Sequence, residues 1–339
     1  MGTKNYTPAM TLSVERAALP GFAPFTLIDV GCSGGIHSLW RSFGGSLRAF
    51  AFDPDRAECE RLQHSETNPN VRYFPMEVGL PPGHEFHRKK AREERISYFS
   101  SVLRRSSAFD PRFREAPPAV VPNGSSHSPA VAPPARIGLC EFFEQQALHD
   151  VDFIKVDTDG SDLEALLSAE ACLTSHGILG FMVECMFQGS ASDSSNTFHT
   201  IDRFMKRHGF MIYDLEVNRY SRAALPAPFV YNLPAQTHVG QPLWGDVVFL
   251  RDLVAPEYGP ALPEISPGKI LKLACLYEIF GIPDCAVELI LRFHDRISPL
   301  INPSALLDLL TPSSDGQTVP YRDYIQAVSA NPKRMFPGG

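Results

Sequence analysis

The chain has 339 residues, 44% of them hydrophobic, enough apolar material for a sizeable buried core, which excludes wholesale disorder. With 38 acidic against 31 basic side chains the formal charge is -7, the wrong balance for a dedicated nucleic-acid binder. No run approaches the ~18 apolar residues of a membrane-spanning helix, and the opening MGTKNYTPAM lacks the apolar stretch of a secretory signal, so a cytoplasmic protein is expected.

Residues 1–24 read as an N-terminal arm, 25–252 as the main domain and 253–339 as a helical extension. In the domain, Phe25–Val30 (FTLIDV) reads as a buried strand and Ile36–Phe43 as the helix after it. Arg48–Phe52 is a second strand, Arg56–His64 a helix, and Val71–Met76 a third strand. Short β-branched or aromatic runs alternating with helical periodicity are the mark of βαβ units.

Residues 81–136 break that rhythm and read as a mobile Pro/Ser-rich insertion. It carries a basic run, Arg88, Lys89, Lys90, Arg92 and Arg95, then Arg104 and Arg105. Such a run is either a solvated helix face or a lid that draws in an anionic acceptor.

The rhythm then resumes. Cys140–Leu148 reads as a helix, Asp152–Val156 as a strand, Asp162–Cys172 as a helix and Ile178–Met186 as a strand. Phe198–His208 is helical, and Phe210–Leu215 and Val247–Leu250 are strands. From Ser266 the pattern is purely helical: Leu271, Leu273, Leu276 and Ile279 form one stripe, and Val287, Leu289, Ile290 and Phe293 a second. These stripes predict packing against the core or against a twin subunit in a homodimer. The seven cysteines are an odd number with no CxxC pair, which predicts reduced thiols.

Strand–helix alternation over this span predicts an α/β fold with a mostly parallel sheet, whose ligand belongs at the carboxyl ends of the strands. Past the first strand comes Asp29-Val30-Gly31-Cys32-Ser33-Gly34-Gly35, a turn in which glycines permit close backbone approach to a ligand. Past the second comes Asp53, placed to accept both hydroxyls of a ribose. Counted from Gly31, the third and sixth places of a GxGxxG dinucleotide fingerprint are Ser33 and Ile36, so a pyrophosphate is poorly served. Acid, glycines, acid suits the ammonium, adenosine and ribose of S-adenosylmethionine. The expected cofactor contacts are Asp29, Gly31, Cys32, Ser33, Gly35 and Asp53, with Met76 and Glu77 beside the adenine.

The fourth strand ends Lys155-Val156-Asp157-Thr158-Asp159-Gly160-Ser161-Asp162, where Ser161 or Asp162 is expected to cap the next helix while Asp157 faces the pocket. Glu184, at the end of the fifth, sets a further carboxylate on the same rim. Lys155 reads as the partner of a neighbouring carboxylate.

These stretches carry a resemblance. DVGCSGG, AFDPD, DFIKVDTDGSDLEALLS, FMVEC, HGFMIYDLE and GDVVFLRD look like the FkbM family of S-adenosylmethionine-dependent methyltransferases, over roughly residues 25 to 252. The resemblance implies the class I methyltransferase fold, Rossmann-like, with a seven-stranded sheet, its last strand antiparallel. It also implies O-methylation of sugars, glycans or polyketide-type natural products. Ser33 stands where Asn is common in that family, and Asp159 where Glu is usual.

Methyl transfer to a hydroxyl is an in-line displacement that needs positioning and help in removing a proton. The candidates for the base are Asp157, Glu184 and His37, the last reading more readily as a surface or capping histidine. Asp157, Asp159 and Glu184 leave open a divalent cation held by hard oxygen ligands. Two other classes remain compatible with the residues: a nicotinamide-dependent oxidoreductase, and a catalytically silent methyltransferase-fold protein acting in assembly.

Overall fold

The computed structural model describes residues 4–17, 19, 22–93, 134–222, 236–255, 265–312 and 319–331. Residues 94–133 of the insertion, with Arg95, Arg104 and Arg105, lie outside them. Ten strands are assigned among the described residues: β1 (Phe25–Val30), β2 (Leu47–Phe52), β3 (Val71–Phe74), β4 (Met76–Val78), β5 (Ala135–Ile137), β6 (Phe153–Val156), β7 (Gly180–Met186), β8 (Phe210–Tyr220), β9 (Gln236–Thr237) and β10 (Gln241–Arg251). Eight form one sheet, ordered β3-β2-β1-β6-β7-β10-β8-β9, while β4 and β5 pair separately.

From β3 to β7 every pairing is parallel; β10 then runs antiparallel to both β7 and β8. This is the expected class I arrangement, with the late reversed strand inserted between β7 and β8. The two-residue β9 pairs with the end of β8 and adds an eighth strand to the seven expected. All six residues of β1 are buried, as a strand covered on both faces requires. The strand order reverses between β1 and β6, so a crevice opens at their carboxyl ends.

One face of the sheet is covered by α4 (Leu139–Gln145), α5 (Asp162–Ser168) and α6 (Phe198–Arg207), whose Phe142, Phe143, Leu166 and Phe204 share a core with Ile28 and Ile154. The other is covered by α1 (Ala9–Arg16), a 3-10 segment (Ser38–Ser46), α7 (Pro267–Ile279), α8 (Pro283–Arg292) and α10 (Pro303–Leu310), around Phe25, Trp40 and Phe153. Between α8 and α10 lies the short α9 (His294–Ile297). The remaining helices are α2 (Arg56–Ser65), α3 (Glu85–Glu93) and α11 (Tyr321–Ala330).

The stripe on α7 is therefore covered by the chain itself, and even Lys269 and Lys272 of that helix are buried. Their ammonium groups meet the fully buried Asp152 just before β6, at 2.6 Å from Oδ1 and 2.8 Å from Oδ2. Asp152 Oδ2 also accepts the Thr26 amide at 2.7 Å. At the other end of α7, the Glu278 carboxylate accepts the amides of Met10 and Thr11 at 2.9 and 2.7 Å, satisfying first-turn donors of α1. The N-terminal and C-terminal helices thus share one core with β1.

Several details depart from the sequence reading. The segment after the glycine turn is 3-10, with a non-helical break at Gly44, because its Gly-Gly pair cannot hold an α-helix. The third strand ends at Phe74, and Met76 begins the separate β4. Strands β8 and β10 are both 11 residues long, much longer than the apolar runs that marked them, since they pair with each other along most of their length. The expectation of seven reduced thiols is also corrected: Cys140 and Cys172 form a disulfide, their Cα atoms 5.8 Å apart where α4 and the 3-10 turn Glu170–Cys172 pack.

Candidate functional site

A cleft of about 400 Å³ opens at the carboxyl ends of β1, β2 and β6, within the size range of small-molecule pockets. Gly31, Ser33, Asp53, Met76, Glu77 and Asp157 line it together with Lys155, Thr158 and Asp159.

Its floor depends on one glycine. Gly31 adopts φ +81, and a Cβ built there would fall onto the carbonyl oxygen of Asp157. The Gly31 and Cys32 amides donate to the Phe52 carbonyl at 2.9 and 3.0 Å, tying the turn to the end of β2. The Gly35 amide donates to Cys32 O at 2.8 Å, the Gly34 amide to Glu58 of α2 at 3.1 Å, and the Ile36 amide to the Tyr73 hydroxyl at 3.4 Å. Gly35 and the buried Cys32 shape this turn without lining the cleft. Burial pushes the Cys32 thiol well above its usual range, so it is unsuited to nucleophilic work.

Beneath the floor lies Asp29, 2% exposed. Burial pushes its carboxyl up to about 6 against the pull of Lys155. Lys155 Nζ stands 3.3 Å from Asp29 Oδ1 and 3.4 Å from Asp157 Oδ2, and donates to Gly31 O at 2.7 Å. Burial pulls the Lys155 ammonium down, but the charges of Asp29 and Asp157 outweigh it and hold the lysine protonated. Lys155 is thus the structural partner expected, a single cation that joins the β1 turn to the end of β6. Asp29 Oδ1 has no well-formed hydrogen bond among the described residues.

The second wall is the loop Asp157–Ser161. Asp159 has φ 53, a left-handed value uncommon outside glycine, and Gly160 follows at φ 111. Asp162 holds this shape: its Oδ1 accepts the Thr158 amide and hydroxyl at 2.7 and 3.0 Å, and its Oδ2 the Gly160 amide at 3.2 Å. Ser161 occupies the N-cap position of α5 without a side-chain cap bond. The Leu163 amide is instead satisfied by Asn196 Oδ1 at 2.8 Å. The third wall follows β2: Asp53, 9% exposed, accepts the Asp55 amide on Oδ1 at 2.8 Å, which fixes its carboxylate at the cleft.

His37 does not line this cleft. Its Nδ1 accepts the Leu39 amide at 3.2 Å at the start of the 3-10 segment, the capping role, and burial then Lys4 and Lys155 depress its pKa. Glu184 lies on β7 outside the cleft lining. Register pairs Asp246 of β10 with Glu184 on one side and Glu216 on the other, a row of carboxylates across three strands. Burial, then the charges of Asp157, Asp162, Asp159 and Asp246, push Glu184 up to about 8. Burial and Asp157 lift Asp246 to about 6. Asp246 escaped the sequence reading, although it stands in the GDVVFLRD block. Only the register of a strand 62 residues away brings it opposite Glu184. Among the described residues no cluster of His, Cys, Asp and Glu is arranged to hold a metal ion, and a divalent cation at Asp157, Asp159 and Glu184 is not supported.

The residues fit an adenosyl cofactor. A glycine floor that admits no side chain and an acid fixed at the end of β2 suit such a molecule, whereas Asp29 lies outside the cleft lining.

Solved structures similar to this chain include magnesium protoporphyrin IX methyltransferase from Synechocystis PCC 6803 with bound SAM, at 8% identity and TM-score 0.31, covering 73% of this chain and 78% of that one. Precorrin-6y C5,15-methyltransferase from Geobacter metallireducens GS-15 matches at 12% identity and TM-score 0.32, over 74% and 89% of the two chains. A SAM-dependent methyltransferase from Aquifex aeolicus matches at 10% and 0.31, over 73% and 94%. A comparison with curated proteins returns no match. The methyltransferase FkbM domain family matches residues 36–212, more than half of the chain. That stretch holds Asp53, the Asp157–Asp162 loop and Glu184, and the chain belongs to the FkbM family of S-adenosylmethionine-dependent methyltransferases.

Proposed function

We propose that the protein methylates a hydroxyl of a neutral, polyhydroxylated acceptor: a sugar, a glycan or a natural product. The observation that carries this reading is the joining, in one cleft, of Gly31, Asp53 and Asp157 from three successive strand ends. Bound S-adenosylmethionine supplies an electrophilic methyl group on a sulfonium. The chain's part is to hold the acceptor in line and to take its proton.

Asp53 and Glu77 are placed to hold the ribose and the adenine, and the Gly31 turn admits the backbone's close approach to the cofactor. Asp157 stands on the cleft wall with Lys155 at 3.4 Å, so it is a fixed acceptor for a hydroxyl hydrogen. Glu184 stands on β7 outside the cleft lining and, lifted to about 8 by burial and then the charge of Asp157, mostly keeps its own proton at neutrality, which leaves Asp157 as the base on the cleft wall. Carboxylates accept hydrogen bonds from hydroxyls, and a wall so rich in them disfavours an anionic acceptor. In the described part of the basic run, Lys89 pairs with Glu85 at 2.9 Å and Lys90 donates to the Gly160 carbonyl at 2.8 Å.

The test is transfer of labelled methyl from S-adenosylmethionine to a panel of sugars and glycans, followed by alkaline treatment of the product. An alkali-stable ether is expected. An alkali-labile ester, or label on nitrogen when amines are supplied, would overturn the assignment to a hydroxyl.

A further inference from the structure

The geometry points to Arg136 as a positioning residue that locks two walls of the cofactor cleft together; this rests on the reading of the cleft as an adenosyl site. The β4 wall is anchored in the core by Val78, but Glu77 between Met76 and Val78 is turned to the cleft. Its three residues pair only with β5, with Glu77 and Arg136 as register partners. The opposite wall, Asp157–Ser161, runs straight into α5, which carries Glu164.

Arg136 spans the gap. One guanidinium nitrogen donates to Glu77 Oε1, and the other to Glu164 Oε1. The second also donates to Leu80 O at 3.2 Å. Glu164 is 4% exposed, and the same oxygen accepts the Leu80 amide at 3.2 Å and faces His87 Nε2 of α3 at 2.7 Å. Glu77 is the carboxylate of this set that lines the cleft.

A planar guanidinium can serve two carboxylates at fixed directions, which an ammonium cannot reproduce. Without Arg136, Glu77 would be free to swing from the cleft toward solvent, and Glu164 would lose its guanidinium partner. Arg136 is the last residue of the insertion, so the return of the chain into the domain sets the wall that receives the adenosyl group.

The experiment is calorimetric titration of S-adenosylhomocysteine into the full chain and its variants R136M, E77Q and R136M/E77Q, with circular-dichroism melts alongside. Each single variant is expected to weaken binding about tenfold, the worth of one charge-assisted hydrogen bond. Because Arg136 acts through Glu77, the double variant should be no weaker than the worse single one. Losses that multiply to about a hundredfold, or wild-type affinity in R136M, would overturn the inference. R136K reaches one carboxylate only, and should recover less than half of the loss in binding free energy; full recovery would also overturn it. If R136M fails to fold, R136K with E77Q completes the same cycle. Wild-type protein that melts cooperatively yet binds no S-adenosylhomocysteine would instead defeat the cofactor reading itself.

Discussion

Gly31 and Asp157 meet backbone against backbone: the α-carbon of the glycine faces the aspartate carbonyl so closely that no side chain fits between them. The Asp157 amide donates to Val30 O at 3.0 Å, so the ends of β1 and β6 are stitched together where the cleft begins. The contact predicts unequal costs for two glycines of one turn. Gly34 has the same φ of +81, but a Cβ added there would meet nothing within 4 Å. Gly34→Ala should cost the ~1–2 kcal/mol of a left-handed backbone, whereas Gly31→Ala should cost well above that and abolish S-adenosylhomocysteine binding. Urea denaturation and calorimetry read both.

The Asp152–Lys269–Lys272 cluster predicts a large loss of stability far from the cleft. Asp152→Ala leaves the buried Lys272 ammonium without its carboxylate and Lys269 with only Asp150, at 2.6 Å, and burial already depresses the pKa of Lys272. A loss of about 3–5 kcal/mol is expected in urea unfolding, as for other broken buried ion pairs.

Stability should also fall as pH rises. Folding lifts Glu184 from 4.5 to about 8, so the folded chain holds that proton more tightly than the unfolded one. The contribution is complete below the ordinary glutamate value and is lost as pH climbs through the folded one. Asp29 and Asp246, both lifted to about 6, act in the same direction over a lower window. Glu184→Gln should therefore flatten the decline in melting temperature above about pH 6 and leave the lower part in place. An unchanged upper limb would contradict this assignment.

The disulfide predicts a thiol count. Denatured without reductant, the chain should titrate five thiols, for Cys32, Cys59, Cys185, Cys275 and Cys285, and two more once Cys140 and Cys172 are reduced.

Much of this was legible in the sequence because strand ends are marked locally. Asp29, Gly31, Asp53 and Asp157 each close an apolar run, and a parallel sheet gathers such ends at one edge. What escaped notice depends on residues far apart in the chain. Lys269 and Lys272 interrupt a largely apolar helix for the sake of Asp152, 117 and 120 positions earlier. Arg136 reaches Glu77 across the insertion, 59 residues away. The 3-10 segment retained helical spacing in its apolar residues, and only the Gly44-Gly45 break betrayed it. Asp162 looked like a helix cap, yet it serves the Thr158–Gly160 loop, because a buried carboxylate takes whichever amides its loop turns inward.

The most direct measurement is the affinity of S-adenosylhomocysteine for wild-type protein and for Asp53→Ala, by calorimetry. The cleft described above predicts clear binding by the wild type and at least about tenfold weaker binding once the carboxylate at the end of β2 is removed. A folded wild type with no heat of binding, or an Asp53→Ala variant of equal affinity, would contradict it.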